Sequence, residues 1–421
     1  MWRPIPPNAH GEYTWGFSPT VARQPTRHHH QLLATIEIGP SIASEYYPGR
    51  STGLKMRDFN QSPFLVIWEV TRACDLACVH CRASADPNRH PQELSTEEGF
   101  RLLEEIKRFG DPIMIFTGGD PLKRPDLFQL LQKSVSLGLR TTLSPSPTPL
   151  LTAEAIAGFK RVGVARISIS VDGWDAASHD AFRAVPGSFD RAMFALEESR
   201  RIGLSTQINT TVSRHNYKHL AGIADIVDRA GADMWDVFFL VPTGRGQSQQ
   251  ELNAEEFEEV FAFMYERSKT SKAVIKTTEA MHYRRYLMQR RKAEGGGGRG
   301  YGHPGGGHEA DVPLNKMAGI NSGRGFVFIS RTGEIYPSGF LPISSGNVRR
   351  QSLVEVYREG ALFRTLRDSS CLEGKCGYCQ YRNLCGGSRS RAYALTGDYL
   401  APEPRCCYQP EPVAQTGAAA K

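Results

Sequence analysis

The 421-residue sequence contains no run of 18 apolar residues, which excludes a membrane-spanning helix. Its first residues, MWRPIPPNAHGEYTWG, lack a basic start followed by an apolar stretch, so no secretory signal is read. No cysteine stands between Cys81 and Cys371. A disulfide scaffold belongs to small secreted domains and does not leave so long a gap, so that class is excluded. No zinc-finger or single-strand-binding signature is present, and the net charge of +7 is scattered among acids, so no nucleic-acid partner is expected. The basic stretch YRRYLMQRRK (283–292) reads as a solvated helix face. With 40% hydrophobic and 23% charged residues the chain is not disordered in bulk, and its length can bury a full core. A soluble cytoplasmic protein with no membrane partner is the expectation.

Residues 1–60, rich in Pro, His, Gly and Tyr without periodicity, read as an extended arm, and the His28–His30 triplet in it defines no metal geometry. From about residue 63, short apolar runs alternate with helical stretches. FLVIWEV (64–70), PIMIF (112–116), LRTTLS (139–144), ARISISV (165–171), LSTQINTTV (204–212) and MWDVFFLV (234–241) read as strands. Helices follow each of them at 95–110, 124–138, 152–163, 188–203, 217–231 and 253–268, the first opened by a Ser-x-x-Glu capping box. Six strands each followed by a helix imply right-handed parallel crossovers and an α/β fold, a partial (β/α)6 barrel over residues 61–270. Functional groups should then sit in the loops after the strand C-termini. Residues 271–324 read as a linker holding the Gly-rich break AEGGGGRGYGHPGGGH (293–308), with a small domain over 325–415 that begins with a hairpin closed at Arg331-Thr332-Gly333.

The nine cysteines form two tight groups, which implies two separate metal or cluster sites. Cys74, Cys78 and Cys81 make a C-x3-C-x2-C loop directly after the first strand. Structural zinc takes four ligands and closes every position. Three thiolates on one short loop instead suit three irons of a cubane cluster, with the fourth iron open. Spare buried cysteines, or zinc with a distant fourth ligand, are the alternatives.

This loop after a first strand resembles the hallmark of the radical SAM superfamily, and the likeness covers about residues 63–245. A second feature supports it: Thr117-Gly118-Gly119-Asp120-Pro121 follows the second strand and is similar to that family's GGE motif. The resemblance implies a [4Fe–4S] cluster on the three cysteines, binding S-adenosylmethionine. It assigns Gly118 and Gly119 to close backbone approach and the Asp120 carboxylate to the cofactor's ammonium. Ser170 and Asp172, ending the fourth strand, fall where the family places cofactor contacts. Arg183 would face the cofactor's carboxylate, Ser144 would stand near the ribose, and His80 would flank the adenine.

The second group, Cys376, Cys379, Cys385 and Cys406, is similar to the SPASM or shortened twitch extension of such enzymes. That implies one auxiliary iron–sulfur cluster, with Cys407 as an alternate fourth ligand, Cys371 as a free thiol, and zinc as the competing occupant. A full SPASM domain carries another cluster. Ser338 in YPSGF and Ser388 in CGGS stand where its cysteines would be expected, so a single auxiliary cluster is read.

The resemblance implies an enzyme that cleaves S-adenosylmethionine to a 5′-deoxyadenosyl radical and removes a substrate hydrogen, with a flavodoxin- or ferredoxin-like reductant. TRACDLACVHCRASA and CGGSRSRAYALTGD look most like the haem-biosynthesis and peptide-maturase branches, so the candidate substrates are a carboxylated tetrapyrrole and a ribosomal peptide, with an unassigned subgroup as the third alternative. A non-catalytic two-cluster electron-transfer or scaffold protein is the alternative of another class. Tyr336, Arg324 and the Gly-rich segment are candidates for the substrate mouth.

Overall fold

The computed structural model describes residues 57–295 and 319–411. The N-terminal arm up to residue 56, the His28–His30 triplet and most of the Gly-rich break lie outside them. Nine strands build one sheet: Leu65–Thr71 (β1), Ile113–Gly118 (β2), Arg140–Leu143 (β3), Arg166–Ser170 (β4), Thr206–Val212 (β5), Met234–Phe239 (β6), Val274–Thr278 (β7), Phe326–Ile329 (β8) and Ile335–Tyr336 (β9). Their order is β7-β6-β5-β4-β3-β2-β1-β8-β9, so the first seven strands follow one another in sequence. Every neighbouring pair from β7 to β8 is parallel, and only β8–β9 is antiparallel. The expected α/β fold with helical crossovers is present.

The connecting helices are Thr96–Lys107 (α1), Leu127–Ser136 (α2), Ala153–Val162 (α3), Ala176–Arg183 (α4), Ser188–Arg201 (α5), Leu220–Ala230 (α6), Ala254–Ser268 (α7) and Tyr283–Ala293 (α8). The capping box that opens α1 forms as read: Glu98 N–H donates to Ser95 Oγ at 3.2 Å, and Ser95 N–H donates to Glu98 Oε2 at 2.8 Å. Four short helices follow the sheet: Leu353–Glu359 (α9), Ala361–Arg367 (α10), Gly374–Tyr378 (α11) and Arg389–Thr396 (α12).

Residue 270 is not a structural break. Val274, Ile275, Thr277 and Thr278 are a β-branched cluster that pairs with β6 as a seventh parallel strand. The expected hairpin forms, but β8 pairs parallel with β1 and so extends the main sheet. No helix among the described residues is long and apolar enough to cross a membrane.

The strands alternate with period two, and the two faces differ in kind. On the helix side, Val66, Trp68 and Val70 of β1, Met114 and Phe116 of β2, Ile167 and Ile169 of β4, and Trp235 and Val237 of β6 are fully buried. Each such side chain contributes about 1.5–3 kcal/mol by leaving water. On the other face, Ile115 and Thr117, Arg166, Ser168 and Ser170, Gln207, Asn209 and Thr211, Asp236, Lys276 and Thr278 line a cavity of about 2330 Å³ that opens to solvent. A fully buried parallel strand is normally apolar on both faces. Polar residues in alternate positions therefore mark the concave face as a binding surface.

Candidate active site and a second cysteine site

The loop after β1 is tied down from several directions. Cys74 N–H donates to Asp86 O at 2.8 Å, and Val79 N–H donates to Phe182 O at 3.1 Å. Arg245 clamps the loop from outside: its Nε donates to Cys78 O at 2.9 Å, its Nη1 to Ala85 O at 2.8 Å, and its backbone N–H to Cys81 O at 2.9 Å. Beside it, Gly244 has φ +63°, and a Cβ there would stand 2.2 Å from Arg82 O, so only glycine allows this approach. The result brings Cys74, Cys78 and Cys81 onto the wall of the cavity, together with Gly118, Gly119, Ser144, Ser170, His80 and Arg183.

The GG-Asp segment is shaped by contact with the cysteine loop. Gly119 N–H donates to Thr71 O at 2.8 Å and Asp120 N–H to Ala73 O at 2.6 Å. A Cβ on Gly119 would stand 2.4 Å from Arg72 O. The glycines are thus required where β2 passes the start of the cysteine loop. Asp120, read as the ammonium acceptor, is absent from the cavity wall. Its carboxylate accepts from Thr148 Oγ1 at 2.7 Å, Leu122 N–H at 3.1 Å and Ser146 N–H at 3.4 Å, and burial pushes its pKa up to about 6. It therefore fixes the loop after β3. That loop carries Ser144 and also Ser146, whose Oγ lies 3.6 Å from the Cys74 thiol and donates to Gly119 O at 2.7 Å.

Asp172 is likewise behind the wall. It pairs with Arg183 through a close contact to Nη2 and accepts from Thr211 N–H at 2.6 Å. Burial pushes this carboxyl up, but the Arg183 charge and the Thr211 N–H more than offset it and hold it below the usual range. Arg183 Nη1 donates to the Cys78 thiol at 3.5 Å, and its buried Nε–H has no partner among the described residues. His80 stacks on Phe182 with ring centroids 4.2 Å apart, and Phe182 stacks in turn on His215 at 4.9 Å. Burial, then the Arg183 charge, lower the His80 pKa to about 3, so it presents a neutral aromatic face.

The sequence reading missed several charged groups of this site. Arg82 donates to Glu69 Oε2 at 2.6 Å and to Gly339 O at 3.3 Å, and lies 4.7 Å over the Phe328 ring. Lys276 pairs with Asp236, and Arg284 donates to Leu384 O at 3.1 Å. Arg82, Arg166, Arg183, Lys276 and Arg284 line the cavity against two acids, Asp236 and Glu279. Of the expected mouth residues, Tyr336 packs 6.4 Å from Phe328, and neither it nor Arg324 reaches the wall.

Cys376, Cys379, Cys385 and Cys406 ring a second cavity, of about 390 Å³, with His282, Arg285, Lys375 and Glu403. Cys407 is turned elsewhere, its Sγ donating to Ala254 O at 3.2 Å, and Cys371 is not on this wall. Among the described residues no three His, Cys, Asp or Glu side chains converge as ligands of one ion would. Each cysteine set instead surrounds a space. Burial pushes the thiols up, Cys74 to about 11, Cys406 to about 11 and Cys385 to about 12. At these three thiols the nearby protein charges do not offset the burial of a thiolate. Metal charge would, so both donor sets fit a thiolate-bound cluster.

Residues 68–227 match the radical SAM superfamily. The chain is 44% identical to the AdoMet-dependent heme synthase of Nitratidesulfovibrio vulgaris, over 82% of this chain and 92% of that protein. It is 41% identical to the AdoMet-dependent heme synthase of Methanosarcina barkeri, over 83% of this chain and 97% of that one. Among solved structures, Streptococcus suis SuiB bound to S-adenosylmethionine superposes with a TM-score of 0.64 at 15% identity, covering 83% of this chain and 78% of that one. Members of this family use a [4Fe–4S] cluster with S-adenosylmethionine. The fold, the cysteine loop on the concave face and these likenesses agree: the chain is an enzyme and belongs to the radical SAM superfamily.

Proposed function

We propose that this enzyme acts on a carboxylate-bearing tetrapyrrole, held in the cavity over the cysteine loop. The observation that carries the substrate class is Arg284. It stands on the cavity wall, and among the described residues no carboxylate pairs with it. Beside it, burial and then the Arg284 charge push the Arg324 pKa down to about 10. Two cations held together without an intervening acid favour an anionic ligand. Guanidinium groups also match planar carboxylates in shape. The two heme synthases similar to this chain point the same way.

Cys74, Cys78 and Cys81 would hold the [4Fe–4S] cluster in this reading. When bound, the cluster and S-adenosylmethionine supply a 5′-deoxyadenosyl radical that removes one substrate hydrogen. His80 offers the adenine a neutral ring, Ser144 and Ser170 border the nucleoside, and the peptide at Gly118–Gly119 forms the floor. Asp172 orients Arg183, which stands on the cavity wall, toward the cofactor carboxylate. Asp120 acts through the Ser144–Thr148 loop that it ties. Cys376, Cys379, Cys385 and Cys406 hold one auxiliary iron–sulfur cluster, and a flavodoxin- or ferredoxin-like protein in the cytoplasm supplies electrons. The nine free cysteines suit such a reducing compartment.

The test is titration of anaerobic, iron-loaded protein with iron coproporphyrin, followed by absorbance. Arg284→Gln should weaken binding about tenfold or more, the worth of one charged hydrogen bond. It should also flatten the salt dependence. Equal affinity and equal salt dependence in the variant would remove the basis of the tetrapyrrole reading.

A further inference from the structure

Ser338 and Ser388 stand where cysteines of another cluster would be expected, and in the fold they meet on one carboxylate. Ser338 Oγ donates to Glu279 Oε1 at 3.2 Å, Ser390 Oγ to the same oxygen at 3.0 Å, and Ser388 Oγ to Oε2 in a close contact. Glu279 is only 3% exposed, yet it lies on the wall of the large cavity beside Ser338. Its backbone is held at φ +58°, in the left-handed region that a residue other than glycine adopts at a cost of about 1–3 kcal/mol.

This arrangement costs more than a structural stitch requires. Arg391, the cation whose charge acts on this carboxyl, gives its Nη1 proton to the Glu279 carbonyl oxygen at 2.6 Å and pairs with Glu251 at 2.5 Å and Glu403 at 3.6 Å. The Glu279 carboxylate is therefore hydrogen-bonded only by neutral hydroxyls among the described residues, and burial pushes its pKa up against them and the nearby Arg391 charge. A buried carboxylate without a directly paired cation is expensive. A carboxylate has about four acceptor positions. The three serines occupy three, and the group borders the cavity.

We propose that Glu279 is a substrate-binding residue whose remaining acceptor position takes a proton-bearing group of the tetrapyrrole. Of the two acids on the wall among the described residues, Asp236 is paired with Lys276, so Glu279 is the acid without an ion-pair partner that can select for a donor. The donor is either a ring N–H or the O–H of a protonated carboxyl side chain. The proposal rests on the tetrapyrrole reading above.

The experiment titrates anaerobic, iron-loaded wild type and Glu279→Gln with coproporphyrin carrying iron, which leaves no ring N–H, and with the metal-free molecule. A Kd weakened about tenfold for both ligands supports the proposal with the carboxyl O–H as donor. Weakening confined to the metal-free ligand supports it with the ring N–H as donor. Unchanged affinity for both overturns it. If E279Q loses iron or melts early, Glu279→Asp decides, because it keeps the acceptors but draws them back by one methylene. Weakened binding then supports the proposal and unchanged binding overturns it. A wild type that binds neither ligand overturns the tetrapyrrole reading itself, and this proposal with it.

Discussion

Replacing Asp172 by Asn tests the buried pair behind the cysteine loop. Asp172 is 0% exposed and Arg183 9%, and the two are in direct contact. The substitution keeps the shape and leaves the guanidinium buried without its counter-charge. Breaking one side of such a pair costs about 3–5 kcal/mol. At about 2.1 cal/mol/K of unfolding entropy per residue, a 421-residue chain shifts by about 1 °C per kcal/mol, so the melting temperature should fall by about 3–6 °C. Asp172 is held below its ordinary pKa, so its contribution is fully present above about pH 4 and is lost as pH falls through the lowered value. Measurement at pH 7 thus reads the whole effect. Arg183 also donates to the Cys78 thiol, so D172N should lose iron from the first cysteine site faster on chelator challenge. A urea-denaturation cycle with Arg183→Gln and the double variant isolates the pair. Single losses that add within about 0.5 kcal/mol would refute the coupling.

Gly119→Ala pushes a methyl group against backbone, 2.4 Å from Arg72 O and 2.5 Å from Ala73 O. It should cost about 1–3 kcal/mol in urea unfolding and lower S-adenosylmethionine affinity by isothermal titration. Wild-type affinity and stability would show that the close approach is not needed. Acid should destabilise the protein through its buried histidines. His80 and His282 are lowered to about 3 and His179 to about 4, so unfolded chains bind protons between pH 6.5 and 4 that the native state refuses. Asp120, raised to about 6, works in the opposite direction, and so does Glu279. For these groups together the net is about two protons near pH 5, a slope of about 2.7 kcal/mol per pH unit, and carboxylates held below their ordinary range, such as Glu98, add to it in the same direction. Urea midpoints that stay level between pH 7 and 5 would contradict it.

The strand order was legible because β1 to β6 carry period-two or wholly apolar runs of ordinary length, each closed by a helix with clear end signals. Val274–Thr278 escaped because it is short and ends in polar residues that face the cavity. The role of β8 was invisible for another reason: pairing with β1 joins segments far apart in sequence. Cysteine spacing identified both thiol groups, and the structure separates Cys406 from Cys407 by the direction of their side chains. Asp120 and Asp172 were assigned by motif to the ligand; in the fold neither lines the cavity, and each carboxylate accepts from neighbouring donors. Asp236 and Lys276 did carry a signal. A charge in the middle of a buried parallel strand has to face a cavity, and Asp236–Lys276 are register partners. Glu279 carried none, since its three serines come from distant parts of the chain.

Iron counting together with product analysis bears most directly on the partition of the cysteines. Wild type purified without oxygen should hold about eight irons and, once reduced, release 5′-deoxyadenosine from S-adenosylmethionine. The variant with Cys74, Cys78 and Cys81 all changed to Ala should keep about four irons and release none. Retention of about eight irons by that variant, or undiminished 5′-deoxyadenosine, would contradict the assignment of the front cluster to these three sulfurs.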